Sequence, residues 1–207
     1  MNVPLPPAQD EVSAGALPHV RLRTELGDIV MVVDEQRAPK TAAAFLDQVD
    51  RGAFAGGRFW RTVQKSTDRG SPPIVVIQAA AADRSGRTAP VEPTTRTGLR
   101  HVEGTVSLPR GDGLPSSADG FFICIGEQAG LDAGSERIAD GQGFAAFGQV
   151  IEGMDVVRAI LGRPTRPDAP DAYLEEQVLA EPVVIYEASR LARGHTTTSI
   201  EQQGVQG

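Results

Sequence analysis

The segment from residue 104 to residue 150 restricts the possible folds of this chain more than any other. It contains three short apolar runs, at residues 104–110, 120–125 and 143–150, each bounded by Gly, Pro, Asp or Ser. β-Branched and aromatic residues dominate these runs, a composition typical of strands between turns. Three such strands with glycine-rich connections predict part of an antiparallel barrel or sandwich, in which long loops line a groove.

Further strands are predicted on both sides of this segment. They cover residues 20–24, 29–33, 57–63, 74–78 and 182–186. The first two flank a turn at Gly27-Asp28 and predict a hairpin, and the last is expected to close the sheet. The sequence therefore predicts a mainly β domain.

Two segments show the periodicity of a helix instead. Four apolar residues after Pro39 recur at i, i+3, i+4 and i+7, namely Ala42, Phe45, Leu46 and Val49. Proline suits the first turn of a helix because its missing N–H has no partner there. Residues 153–161 predict a second short helix with Met154, Val157 and Leu161 on one face.

Composition excludes several classes of function. A net charge of −7, with 20 scattered basic residues, argues against nucleic acid as a partner, since phosphate binding needs a basic stripe. The single cysteine, Cys124, excludes an internal disulfide, and its apolar strand predicts a buried, inert thiol. The spacing of His19, His101 and His195 suggests neither metal ligands nor a catalytic triad. We therefore expect no metal and no cofactor.

Four motifs in the same order resemble those of cyclophilin-type peptidyl-prolyl cis-trans isomerases of bacteria. Residues 147–157 are similar to the family pattern F-G-x-V-x-x-G-M-x-V-V, and residues 97–101 match the run T-G-L-R-H. Residues 104–109 resemble G-x-x-S-M-A, and residues 119–123 resemble S-Q-F-F-I. The resemblance implies a closed antiparallel β-barrel with two short capping helices.

The extent of the resemblance predicts one domain with two tails. The domain covers residues 19–189, and residues 1–18 and 190–207 are expected to be flexible. No apolar run approaches the ~18 residues that span a bilayer, so no membrane association is expected. The N-terminus has no pattern of a secretory signal, which predicts a cytoplasmic protein, or a periplasmic one if a leader has been removed. A monomer is expected.

The resemblance implies that the chain accelerates rotation about X-Pro bonds in proline-containing peptides or unfolded protein segments. This rotation has a barrier of roughly 18–20 kcal/mol and is slowed by amide conjugation. In the twisted amide the proline nitrogen gains a lone pair, so a donor aimed at it binds the transition state more strongly than the ground state. Arg61, the match to the arginine of F-H-R, would be that donor, and Gln78 would position the amide or brace Arg61.

The proline ring requires an apolar pocket beside these two catalytic candidates. The resemblance implies seven substrate-binding residues: Phe59, Val76, Arg110, Gly120, Phe122, Leu131 and Phe144. Phe59 suits the barrel core better than the pocket. Position 110 is expected to contact the substrate through its backbone.

Several departures from the family pattern leave the function open. Gly120 stands where the family has a glutamine, Ala79–Ala81 replace a Gly-Gly-Asp run, Gly130 replaces a tryptophan and Phe144 a histidine. Loss of one orienting hydrogen bond costs about 1–3 kcal/mol, or roughly ten- to a hundredfold in rate. The alternatives are therefore an isomerase, a proline-peptide-binding or chaperone-like module with weak or no catalysis, and a scaffold with interacting tails. A side chain from elsewhere that compensates for Gly120 would favour the isomerase.

Overall fold

The computed structural model describes residues 16–169 and 171–191. Within them the chain forms, in order, β1 (His19–Thr24), β2 (Gly27–Val33), α1 (Pro39–Asp50), β3 (Arg58–Val63), β4 (Val76–Ala80), β5 (Thr88–Ala89), α2 (Thr94–Thr97), β6 (Thr105–Leu108), β7 (Ser116–Ser117), β8 (Gly120–Cys124), β9 (Ala145–Glu152), α3 (Met154–Leu161) and β10 (Val178–Arg190). The flexible tails predicted at both ends lie almost entirely outside the described residues, although Arg190 still belongs to β10.

Eight of the strands close into an antiparallel barrel in the order β1-β10-β3-β4-β8-β6-β9-β2. The predicted hairpin is present, because β1 pairs with β2 across the turn at Gly27. The last strand, β10, joins β1 to β3 and so closes the barrel. The predicted closed, mainly β architecture is confirmed.

The described residues form three α-helices, one more than predicted, and α1 and α3 pack against the core of the barrel. Helix α1 buries the apolar face expected from its periodicity. Helix α3 buries Val157 as expected, but together with Val156 and Ile160, whereas Met154 and Leu161 are only partly buried. The additional helix, α2, is a single turn ending at Gly98 with φ 70°, too short for its periodicity to be visible in the sequence. None of the helices in the described part of the chain is long and apolar enough to cross a bilayer.

Helix α1 begins with help from a distant residue. Ala38 at its N-cap position offers no side-chain hydrogen bond. Instead the carboxylate of Glu92 accepts bonds from the backbone N–H and the hydroxyl of Thr41, both at 2.7 Å. A negative charge at this end also complements the helix dipole. Pro39 lies in the first turn as predicted, but the sequence did not indicate the contact with Glu92.

Alternation along strand β8 separates two apolar clusters. Phe121 and Ile123 point into the barrel core, whereas Phe122 and Cys124 belong to a second, smaller cluster on the other face. This follows from the two-residue period of a strand. Burial raises the pKa of Cys124 well above its ordinary value, so its thiol remains protonated.

Strand β3 has a register shift between Phe59 and Arg61, where the alternation of its side chains between the two faces of the sheet is interrupted. Phe59 pairs with Ala79 of β4, but Arg61 pairs with Gln78, so Trp60 is an extra residue in the ladder. Such a bulge places two residues opposite one and reverses the side-chain facing beyond it. Phe59 therefore points into the core, and Arg61 points to the opposite face of the sheet, beside Gln78.

Candidate active site

A cavity of about 560 Å³ lies on the outer face of strands β3, β4 and β8. Loops at residues 109–111 and 131–144 form part of its wall. Eight of the nine residues predicted from the resemblance for catalysis or substrate binding line it: Arg61, Gln78, Val76, Arg110, Gly120, Phe122, Leu131 and Phe144. The sequence prediction therefore selected residues that the fold brings together.

One half of the cavity is apolar. It is formed by the second hydrophobic cluster, whose members include Val63, Ile74, Val76, Phe122, Leu131 and Phe144. The rings of Phe122 and Phe144 meet edge to face, with centroids 5.6 Å apart. An apolar recess with an aromatic floor and wall suits a small saturated ring.

Arg61 lies in the other half, next to this recess. Its Nη1 donates to Oε1 of Gln78 at 3.1 Å, and its Nε and Nη2 donate to Oε1 of Gln177 at 2.9 and 2.5 Å. A guanidinium has five N–H donors, so these three bonds leave one N–H on each terminal nitrogen for a ligand. The arginine is thus held in one orientation with donor capacity remaining.

The charge of Arg61 is not neutralised by these contacts, because all three bonds end on neutral amide oxygens. The ring of Tyr173 covers the guanidinium, with its centroid 5.2 Å from Cζ. Burial lowers the pKa of Arg61 from its ordinary value, while Tyr173 and Asp68 oppose that shift. An arginine stays protonated even so, and a partly desolvated cation interacts more strongly with a developing lone pair.

Comparison with known proteins agrees with this geometry. The family model described as cyclophilin type peptidyl-prolyl cis-trans isomerase/CLD matches residues 19–189 of the chain. The chain belongs to the cyclophilin family. Among its relatives, "Peptidyl-prolyl cis-trans isomerase cyp18" of Streptomyces antibioticus is 33% identical over 172 residues, covering 83% of this chain and 98% of that protein. "Peptidyl-prolyl cis-trans isomerase A" of Dickeya dadantii is 30% identical over 174 residues, covering 82% and 83%.

Solved cyclophilin structures share the fold. The cyclophilin-type isomerase cgd2_1660 of Cryptosporidium parvum superposes with a TM-score of 0.63 at 16% identity, covering 85% of this chain and 98% of that one. The same protein, solved in the presence of the dipeptide Ala-Pro, gives a TM-score of 0.62. The resemblance found in the sequence motifs is therefore confirmed for family and fold.

One of the residues predicted to bind substrate, Phe59, takes a different position in this cyclophilin. Phe59 is fully buried in the barrel core against Phe121, with ring centroids 5.8 Å apart, and does not line the cavity. Its assignment to substrate binding is corrected, because the bulge at Trp60 turns it inward. Arg110 lines the cavity, but its guanidinium bonds internally to Asp140 and to the carbonyls of Leu114 and Gly143.

Gly120 also lines the cavity, and the backbone leaves it no room for a side chain. A Cβ at this position would lie 2.5 Å from the carbonyl oxygen of Ala79. Strands β4 and β8 therefore lie too close together at this point for the glutamine that the family has here. The alanines at 79–81 have no left-handed backbone angles, so they replace the family glycines without strain of that kind.

Two residues that the sequence analysis did not single out contact Arg61. Gln177, which directly precedes β10, and Tyr173 both reach Arg61 from the segment 171–177. No motif or periodicity singled out this segment, which lies more than 110 residues from Arg61 in the chain. Only the closure of the barrel by β10 brings it to the site.

A buried network that histidine spacing did not indicate supports the floor of the pocket. His101 Nδ1 lies 2.7 Å from Asp132 Oδ1, and its Nε2 lies 3.1 Å from Ser107 Oγ. Although this connectivity is that of a Ser-His-Asp triad, Ser107 is fully buried and does not line the cavity. The imidazole stacks on Phe122 at 6.1 Å, so the network orients the pocket floor. Among the described residues, no group of three His, Cys, Asp or Glu could hold a metal ion.

A buried ion pair fixes the rim of the pocket. Arg137 donates two bonds of 2.8 Å to the carboxylate of Asp68 and one of 2.7 Å to the carbonyl of Pro72. The backbone N–H groups of Gly70 and Ile74 complete the shell of Asp68. Burial alone would raise the pKa of Asp68, but these bonds outweigh it and hold the pKa below its ordinary value.

Replacing Arg137 by methionine is expected to lower the free energy of unfolding by about 3 kcal/mol at pH 7, because it leaves a buried carboxylate unpaired. A carboxyl whose pKa is lower in the folded state stabilises above its unfolded value and ceases to do so as the pH falls. The difference between the two proteins should therefore narrow as the pH falls, because the unpaired carboxyl of the variant is protonated before that of the wild type, whose pKa is held below its ordinary value. Urea denaturation at several pH values measures both effects.

The matched control is Arg23→Met, which breaks the exposed pair with Glu187. Exposed pairs contribute about 0.2–1 kcal/mol, so this variant should differ little from wild type. Equal losses in the two variants would show that the Arg137–Asp68 pair is no more important than a surface contact.

Proposed function

We propose that this cyclophilin is an active peptidyl-prolyl cis-trans isomerase for exposed X-Pro bonds in polypeptides. The observation that carries the proposal is the state of Arg61 beside the apolar recess. The side chain is oriented by neutral acceptors, keeps its charge and retains two N–H groups. This is the arrangement that stabilisation of a twisted proline amide requires.

The proposed mechanism uses binding and electrostatics alone. The proline ring enters the recess lined by Val76, Phe122, Leu131 and Phe144, where it is desolvated and held. Rotation about the X-Pro bond breaks conjugation and localises a lone pair on the proline nitrogen. Arg61 then donates to that nitrogen, an interaction absent from either planar isomer, which lowers the barrier. No bond to the enzyme forms, and no proton is transferred.

A binding module with weak catalysis is the second candidate, and Gly120 favours it. The family glutamine missing there would otherwise contribute an amide to the groove. Against it stands the bracing of Arg61 by Gln78 and Gln177, because a protein that only bound proline would not require an oriented guanidinium. We therefore favour the enzyme.

Two measurements on the same peptide separate the candidates. Exchange NMR on a short Ala-Pro peptide gives the rate of isomerisation, and titration of the labelled protein gives the dissociation constant. We expect both binding and accelerated exchange in the wild type. An Arg58→Ala variant is the control, since Arg58 is an exposed arginine of the same strand outside the cavity, and it should behave as wild type. Binding without acceleration would favour the binding module over the isomerase. A wild type that neither bound the peptide nor accelerated its exchange would reject both candidates.

A further inference from the structure

We propose that Gln177 is a positioning residue of this cyclophilin, which orients Arg61 in the role that the family glutamine would have at Gly120. The inference rests on the proposed isomerase function, because orientation of Arg61 matters only if Arg61 acts on the substrate. It assigns a catalytic contribution to the segment before β10, which none of the sequence motifs includes.

The hydrogen bonds of Gln177 determine the direction of its amide. Its Oε1 accepts from both Nε and Nη2 of Arg61. Its Nε2 donates to the carbonyl oxygens of Thr67 and Tyr173, at 2.7 and 3.0 Å. A flipped amide would present donors to the guanidinium and an oxygen to two carbonyls, so only the observed orientation satisfies all four partners. Gln177 thus turns only its amide oxygen, an acceptor, toward Arg61.

The backbone around Gln177 is fixed as firmly as its side chain. Its carbonyl accepts from the N–H of Thr62 in β3 at 2.9 Å, and its own N–H donates to Leu174 at 3.0 Å. The preceding residue, Glu176, has φ 60°, a left-handed conformation that is unfavourable for a residue with a side chain. Among the described residues it is the only non-glycine residue with positive φ. This strained conformation turns the chain toward the site. The side chain of Gln177, the next residue, is fully buried there.

Contacts on two edges determine the plane of the guanidinium. Gln78 holds Nη1 from strand β4, whereas Gln177 holds the edge formed by Nε and Nη2. With Gln177 removed, one hydrogen bond to Gln78 would remain, and the guanidinium could rotate about it. The two remaining N–H groups would then lose their fixed direction, and the loss would fall on the transition state rather than on peptide binding.

The test compares Gln177→Met with Gln177→Glu. Methionine keeps the length but offers neither amide function, so kcat should fall about ten- to a hundredfold with KM changed less than about twofold. Glutamate keeps the acceptor for Arg61 but loses both donors to Thr67 and Tyr173. We expect the order wild type, Glu, Met in kcat, with glutamate below wild type because its charge partly neutralises Arg61. If Gln177 only tied the loops together, glutamate would be as impaired as methionine.

A second readout does not depend on activity. The Nε–H signal of Arg61 in ¹⁵N-labelled protein should exchange slowly with solvent in the wild type and at least about tenfold faster in Gln177→Met. Glu175→Gln is the control, because it removes only the exposed ion pair with Arg69 and should leave kcat unchanged.

The outcomes distinguish this inference from the proposed function. An active wild type whose Gln177→Met variant keeps full kcat would overturn the positioning role and leave the isomerase intact. An inactive wild type would overturn the isomerase itself. Fast exchange of the Arg61 Nε–H in wild type would reject the orientation by Gln177 even if the methionine variant failed to fold.

Discussion

Replacing Arg61 by lysine is expected to lower kcat/KM for an X-Pro peptide by about 10²- to 10³-fold, the range observed when one preorganised donor to a transition state is removed. Lysine keeps the positive charge but has a single ammonium centre. Its three donors diverge from one nitrogen, so lysine cannot reproduce the planar fork with which Arg61 bonds Gln78 and Gln177. The loss should appear in kcat, since the apolar recess proposed to hold the proline ring is untouched.

Exchange NMR and peptide titration on the same samples measure this prediction. Arg58→Lys provides the matched control, because the same substitution is made on the same strand at an exposed position. A lysine variant that retained more than a tenth of the wild-type rate would show that positive charge alone is sufficient. A variant that lost binding and rate together would instead assign Arg61 to ground-state binding.

Introducing a side chain at Gly120 is expected to destabilise the barrel rather than to restore activity. The Cβ of Gly120→Ala would lie 2.5 Å from the carbonyl oxygen of Ala79, and that oxygen belongs to the backbone of a paired strand. Either β4 or β8 must shift, at a cost of about 3 kcal/mol in the free energy of unfolding. Gly120→Gln, which the family pattern suggests, should lose at least as much stability and gain no activity.

Urea denaturation of Gly120→Ala and Gly162→Ala provides the comparison. Gly162 ends helix α3 with φ −79°, and a Cβ there would meet nothing closer than 3.6 Å. Alanine at this control position should change the stability by less than about 1 kcal/mol. If Gly120→Gln were as stable as wild type and faster, the strands would have adjusted and the binding-module alternative would gain support.

Much of the barrel could be predicted from local pattern. The hairpin around Gly27, the alternating strand β8 and the amphipathic helix α1 were all recognisable, because each depends on residues close together in sequence. The family resemblance added the closure of the barrel and predicted that Arg61, Gln78 and the recess residues lie in one place. The roles assigned to those residues remain predictions until the variants above are measured.

The sequence by itself determined the mainly β fold and, through the family motifs, most of the predicted site residues that line the cavity, because strand period, turn residues and motif order are local properties of the chain. Only the tertiary structure decided which way Arg61 points, what holds it and why Gly120 must be glycine. These depend on a bulge at Trp60, on Gln177 more than 110 residues away, and on a carbonyl in the neighbouring strand. Each is a consequence of strand register and barrel closure, and contacts between distant residues leave no periodic signal in the sequence.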